Sequence, residues 1–181
     1  VRFIFPHAPQ RPVTINGGYV MRAWYDIAAQ SIDAQQDVQG IRDSQAQIEA
    51  LIAQEKARGI ETGNIFLAGF SQGGAIALHT ALRQNAPLAG VLALSTYLPL
   101  QDRARAEAVP DTRNTPVFMA HGRSDPVVPF ELGAASRDAL INLGYKVEWH
   151  EYSMQHSVCE QELRDIGIWL TGLLNGHEPV K

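Results

Sequence analysis

Ser71 stands in Gly69-Phe70-Ser71-Gln72-Gly73, directly after the apolar run Ile65-Phe66-Leu67-Ala68 and before the small-residue stretch Gly74-Ala75-Ile76-Ala77-Leu78. The G-x-S-x-G spacing suits a sharp strand-to-helix turn that holds one hydroxyl in the open. Glycines on either side let backbone and helix approach where a Cβ would clash. The helix that follows starts with free N–H groups and a dipole that favours an anion beside the serine. The chemistry such a turn serves is attack by Oγ on an acyl carbon. A glycine-rich turn with an incidental serine uses the same residue types, so the strand before it and the helix after it carry the reading.

Serine is a poor nucleophile until a base takes its proton, so a histidine and an orienting carboxylate must be found. In an arrangement of alternating strands and helices the expected order is serine, then acid, then histidine. The acids after Ser71 include Asp102, Asp111, Asp125, Asp138 and Asp165. Asp138 and Asp165 fall in helical patterns and are expected on solvated faces, and Asp102 and Asp111 lie in a polar connection. Asp125 differs, because it follows the apolar run Val117-Phe118-Met119-Ala120 and the turn His121-Gly122-Arg123-Ser124. That places it past the carboxyl end of a strand, where ligands bind in open α/β sheets. An Asp-Pro turn residue would suit the same place.

Of the histidines after Asp125, His150 alternates with Lys146 and Glu148 and is expected to face solvent, and His177 belongs to a Gly-His-Glu-Pro tail. His156 sits in Ser153-Met154-Gln155-His156-Ser157, between the last strand and the last helix. Ser71, Asp125 and His156 are therefore the candidate catalytic residues. His7, His79, His121 and Cys159 form no H-x-x-x-H or C-x-x-C spacing, so neither a metal nor a cofactor is expected. Cys159 reads as a packing residue at a helix start. Trp24 and Tyr25 suit either an acyl pocket or a core.

Positioning these residues requires a sheet. Short apolar runs near 1–5, 64–69, 90–95, 116–121 and 145–152 alternate with helical patterns, which predicts a parallel sheet covered by helices. A helix over 37–58 places Ile41, Ile48 and Ile52 on one face, with Gly59 as its left-handed stop. Further helices are predicted after Ser71, from Phe130 to Leu143, and over 158–174, where Leu163, Ile166, Leu170, Leu173 and Leu174 form a stripe. Residues 96–115 read as a small cap or a surface loop.

The 181 residues suit one domain with a real core. A formal charge of −4 gives no basic footprint for nucleic acid, and no apolar run approaches the roughly 20 residues of a membrane span. The lone Cys159 cannot form an internal disulfide, which fits a cytoplasmic setting.

Taken with their surroundings, these motifs resemble the bacterial carboxylesterase and acyl-protein thioesterase family. The resemblance rests on Gly69-Phe70-Ser71-Gln72-Gly73-Gly74, His121-Gly122-x-x-Asp125-x-Val127-Val128 and Met154-x-His156. It extends to Pro6-x-Ala8-Pro9-x-x-Pro12-Val13-Thr14, Trp24-Tyr25-Asp26 and Leu94-Ser95-Thr96-Tyr97-Leu98-Pro99. The resemblance implies a single α/β-hydrolase domain over residues 1–181, with a mostly parallel sheet, helices on both faces and no large lid. It implies Ser71 as nucleophile, His156 as base, Asp125 as its orienting acid and the Gln72 backbone N–H as an oxyanion donor. The family carries an earlier strand and a His-Gly-Leu-Gly-like loop that supplies a second donor, and these are expected to be missing ahead of Val1. The activity implied is hydrolysis of short-chain acyl esters, with thioesters as further substrates, by a monomer or homodimer. The alternative is a catalytically impaired fragment that acts as a binding module.

Overall fold

The computed structural model describes residues 1–28 and 36–176. His177, placed above in a Gly-His-Glu-Pro tail, lies outside the described residues. A hairpin of β1 (Gln10–Val13) and β2 (Tyr19–Arg22) comes first, with Val13 opposite Tyr19. It turns through Gly17 and Gly18 at φ of 68° and 79°, a region that suits glycine. The remaining elements are α1 (Val38–Ala57), β3 (Phe66–Phe70), α2 (Gln72–Ala81), β4 (Gly90–Leu94), α3 (Gln101–Glu107), β5 (Val117–Gly122), α4 (Phe130–Asn142), β6 (Val147–Tyr152) and α5 (Glu160–Gly176).

Strands β3, β4, β5 and β6 form a parallel sheet in that order, as the alternation of apolar runs and helical patterns predicts. The period-two geometry of the strands sorts its side chains onto two faces. Val91, Ala93, Val117 and Met119 join one cluster with Leu78 of α2, Leu82 at its C-cap and Leu140 of α4. Leu92, Phe118 and Ala120 join another with Tyr152 and with Ile166, Trp169 and Leu170 of α5. Helices thus cover both faces. Ile41 of α1, fully buried, packs with Ala75 and Ile76 of α2 in a third cluster. Asp37 starts α1 by accepting from Gly40 N at 2.8 Å, and its other oxygen accepts from Asp26 N at 2.9 Å, tying the helix to the chain after the hairpin.

Five expectations need correction. Residues 1–9 form no strand, and Val1, Phe3 and Phe5 are 92%, 74% and 84% exposed. Their apolar character suits a strand, but a strand exists only with a ladder partner, and residues 1–5 have none among the described residues. In α5 the packed stripe is Ile166, Trp169 and Leu170, whereas Leu163 and Leu174 are exposed. Residues 96–115 are no surface loop: Tyr97, Leu98, Leu100, Ala104, Thr112 and Thr115 are all buried. His150 does not face solvent alone, because its ring stacks on Phe118 at 4.7 Å, and Asp165, expected on a solvated face, accepts from Tyr152 OH at 2.8 Å. Among the described residues no helix is long and apolar enough to cross a membrane.

One buried histidine makes the fold sensitive to acid. His79 of α2 is fully buried, and burial, followed by the nearby Arg83 guanidinium, pushes it down to about 4. Its folded value lies below its unfolded one, so its contribution to stability is complete above about 6.5 and is lost as the pH falls toward 4. The parent is expected to lose up to about 3 kcal/mol across that window through this group. Urea titrations at pH 7 and pH 4.5 check it: the His79→Leu variant should show a smaller pH dependence than the parent.

Candidate active site

The turn at Ser71 is strained and clamped. Ser71 has φ 54° and ψ −123°, a conformation that non-glycine residues rarely adopt. Three hydrogen bonds hold it there. Ser71 N donates to Leu94 O at 2.9 Å, and Ser71 O accepts from Ala75 N at 3.1 Å and from Thr96 Oγ1 at 2.7 Å. The side chain is left free: Ser71 Oγ has no hydrogen-bond partner among the described residues. Hydrogen bonds that serve catalysis are often open in an unliganded enzyme and close around substrate.

The two flanking glycines do different work. A Cβ on Gly69 would fall inside the backbone of Gly73 and Gly74, and one on Gly74 would meet Thr96 Cγ2 at 2.7 Å. Gly73 is uncrowded; its Cβ would meet only Trp24 Nε1, at 3.9 Å. Gly69→Ala is therefore expected to cost about 3 kcal/mol or more, and Gly73→Ala less than about 1 kcal/mol in stability. Thermal melting of the two variants checks this.

Asp125 and His156 come together because β5 and β6 are neighbours with Gly122 opposite Tyr152. Past that pair the chains stay zipped, with Arg123 N donating to Tyr152 O at 2.9 Å and Ser124 N to Met154 O at 3.1 Å. Gly122 permits it, since a Cβ there would strike the Met154 and Gln155 carbonyls. Asp125 Oδ1 accepts from Val127 N at 2.8 Å and Val128 N at 2.9 Å, and Oδ2 accepts from His156 Nδ1 at 2.7 Å. The Asp125 side chain is fully buried and that of His156 is not. With its Nδ1 proton engaged by Asp125, the imidazole presents Nε2 as its basic atom.

Ser71 follows β3, and His156 follows β6. Three strand spacings would separate the ends of those strands by roughly 14 Å, so the His156 loop must reach back across the sheet. It does: the His156 ring lies 4.6 Å from the ring of Phe70, the residue before Ser71. Asp102 and Asp111 are exposed on the 96–115 connection and have no hydrogen bond to His156.

Several supporting residues carry no signal in spacing alone. The Gln72 side chain grips the chain after the hairpin, accepting from Trp24 N and donating to Tyr25 O, both at 3.0 Å. His121, fully buried, donates from Nε2 to Val128 O at 2.9 Å and so braces the loop that holds Asp125. Thr96 holds Ser71, as above. Its place just past β4, at the carboxyl end of a strand, is the one sequence signal that points to it.

Comparison with known proteins agrees with this architecture. Residues 1–173 match a family described as Phospholipase/Carboxylesterase. The chain is 41% identical over 174 residues to an "Acyl-protein thioesterase 1" of Yarrowia lipolytica, spanning 94% of this chain and 77% of that protein. It is 44% identical over 180 residues to a protein of the same name from Neurospora crassa, spanning 94% and 73%. The crystal structure of SOBER1 from Arabidopsis thaliana superposes with a TM-score of 0.89 at 33% identity, covering 94% of this chain and 83% of that one. These relatives are fungal and plant proteins, so the resemblance is not specifically bacterial. Fold and sequence together establish that the chain belongs to the phospholipase/carboxylesterase family of α/β-hydrolases and is a serine hydrolase.

Proposed function

We propose that the chain hydrolyses short-chain acyl esters, and thioesters as further substrates, through an acyl-enzyme on Ser71. His156 Nε2 takes the Ser71 proton as Oγ attacks the acyl carbon. The oxyanion that forms is stabilised by the Gln72 N–H at the start of α2, where the helix dipole favours negative charge. Collapse of the tetrahedral adduct expels the alcohol or thiol, which takes its proton from His156. Water, deprotonated by the same nitrogen, then attacks the acyl-enzyme, releases the acid and restores Ser71. Asp125 holds the imidazole in the required tautomer throughout.

The observation that carries this reading is the position of His156: anchored by Asp125 at 2.7 Å on one side, its ring lies against the residue before Ser71 on the other. Relatives named acyl-protein thioesterase support the thioester arm. Cytoplasmic residence belongs to the same proposal and rests on the single unpaired Cys159. The test is a rate series on nitrophenyl acetate, butyrate and octanoate alongside thioesters of the same acids. Turnover falling toward octanoate is the expected result. Rates no higher than buffer on every compound would contradict the proposal.

A further inference from the structure

Trp24 is held at both ends by the framework of the candidate site. Its N–H donates to Gln72 Oε1 at 3.0 Å, and its carbonyl accepts from the buried Ser44 Oγ. Gln72 Nε2 also donates to the next carbonyl, that of Tyr25, at 3.0 Å. One side-chain amide bonded to two successive residues fixes the direction in which the Trp24 side chain leaves the backbone. The indole is thereby aimed at the first turn of α2, where Nε1 stands 3.9 Å from the place a Gly73 Cβ would occupy.

The neighbouring aromatic shows what a core residue looks like here. Tyr25 is 3% exposed, and its hydroxyl pairs with Tyr97 OH at 2.8 Å. Trp24 remains half-buried, and its indole N–H has no acceptor among the described residues. Buried tryptophans usually find a partner for that N–H. A half-buried ring packed on one side against the Tyr25 and Ile41 cluster, with a free donor and an uncrowded glycine two residues after Ser71, suits the wall of a cleft.

The part of a substrate that meets this wall follows from the place of His156. His156 packs on Phe70, on the side of Ser71 that precedes it in the chain, and Trp24 stands over Gly73, on the side that follows. A leaving group must take its proton from His156, so it lies on the Phe70 side. The acyl group is then directed past Gly73. We propose that Trp24 bounds the acyl site and sets the length of acyl chain accepted, an inference that rests on Ser71 as the nucleophile.

The test compares the parent, Trp24→Ala and Trp24→Phe on nitrophenyl butyrate and octanoate, with thermal melting to confirm folding. Removing the indole lowers kcat/KM for butyrate while sparing octanoate. The butyrate-to-octanoate ratio is expected to fall about tenfold in Trp24→Ala, the scale on which apolar pockets discriminate chain length. Trp24→Phe, which retains a ring, should keep the ratio within about threefold. A ratio measured on one preparation does not depend on how much of it is folded, so a purely structural role would leave it unmoved. An unchanged ratio in Trp24→Ala, with the parent turning over both esters, would overturn the role of Trp24 alone. A parent that turns over neither would overturn the esterase reading beneath it.

Discussion

Ser71→Ala is expected to lower kcat/KM on nitrophenyl butyrate by about 10⁴-fold or more, with the fold unchanged. Both halves of that expectation come from the turn. The backbone at Ser71 is fixed by Leu94 O, Ala75 N and Thr96 Oγ1, none of which touches the side chain. Alanine carries the same Cβ into the same strained φ of 54°, so no new strain arises. The hydroxyl has no partner among the described residues, and its loss leaves no polar group orphaned. The rate is another matter, because the proposed acyl-enzyme forms on the Ser71 oxygen that alanine lacks. What survives is the contribution of substrate binding and the oxyanion donor. Activity within tenfold of the parent in Ser71→Ala would remove Ser71 from the mechanism.

Asp125→Asn is expected to lower kcat by up to about 10⁴-fold. The asparagine Oδ1 can still accept from Val127 N and Val128 N, as Asp125 Oδ1 does at 2.8 and 2.9 Å, so the loop keeps its shape. The change falls on the other atom. An amide Nδ2–H would face His156 Nδ1 where a carboxylate oxygen stands at 2.7 Å. The imidazole then places its proton on Nε2, the atom that must receive the proton of Ser71. Asp102→Asn and Asp111→Asn serve as controls, since both side chains are exposed and should leave kcat within about twofold. A loss below tenfold in Asp125→Asn, or an equal loss in either control, would show that another group orients the histidine.

How much of this arrangement can be read without coordinates depends on how local the cause is. Phe66–Phe70, Gly90–Leu94 and Val117–Gly122 are legible as strands because each begins as an apolar run between turn signals. Val147–Tyr152 is legible because Val147 and Trp149 alternate with Glu148 and His150 after Gly144, and α1 because Ile41, Ile48 and Ile52 repeat at helical spacing. Asp125 and His156 are legible as loop residues after strands, since parallel strands gather their carboxyl ends on one edge of the sheet. What eludes the sequence is long-range. Residues 1–5 are mostly apolar, like a strand, yet a ladder partner is a property of the whole sheet. The hairpin of β1 and β2 hides behind Pro12 and the Gly17-Gly18 turn. The Gln72 amide reaching Trp24 and Tyr25 spans 48 and 47 residues, and no spacing rule anticipates such a bond. Leu163 and Leu174 fit the helical period of α5 loosely, but the face that packs is centred on Glu162, Ile166 and Trp169, which leaves both leucines at its solvent edge.

The most direct test of the central claim is covalent labelling of the parent with a fluorophosphonate, followed by mass spectrometry of its peptides. Such a probe reacts readily only with a serine whose proton a neighbouring base removes. The expected result is a single adduct, on Ser71, formed quickly in the parent and slowed by about 10³-fold or more in His156→Ala. A folded parent that stays unlabelled, or one labelled at any other residue, would contradict it.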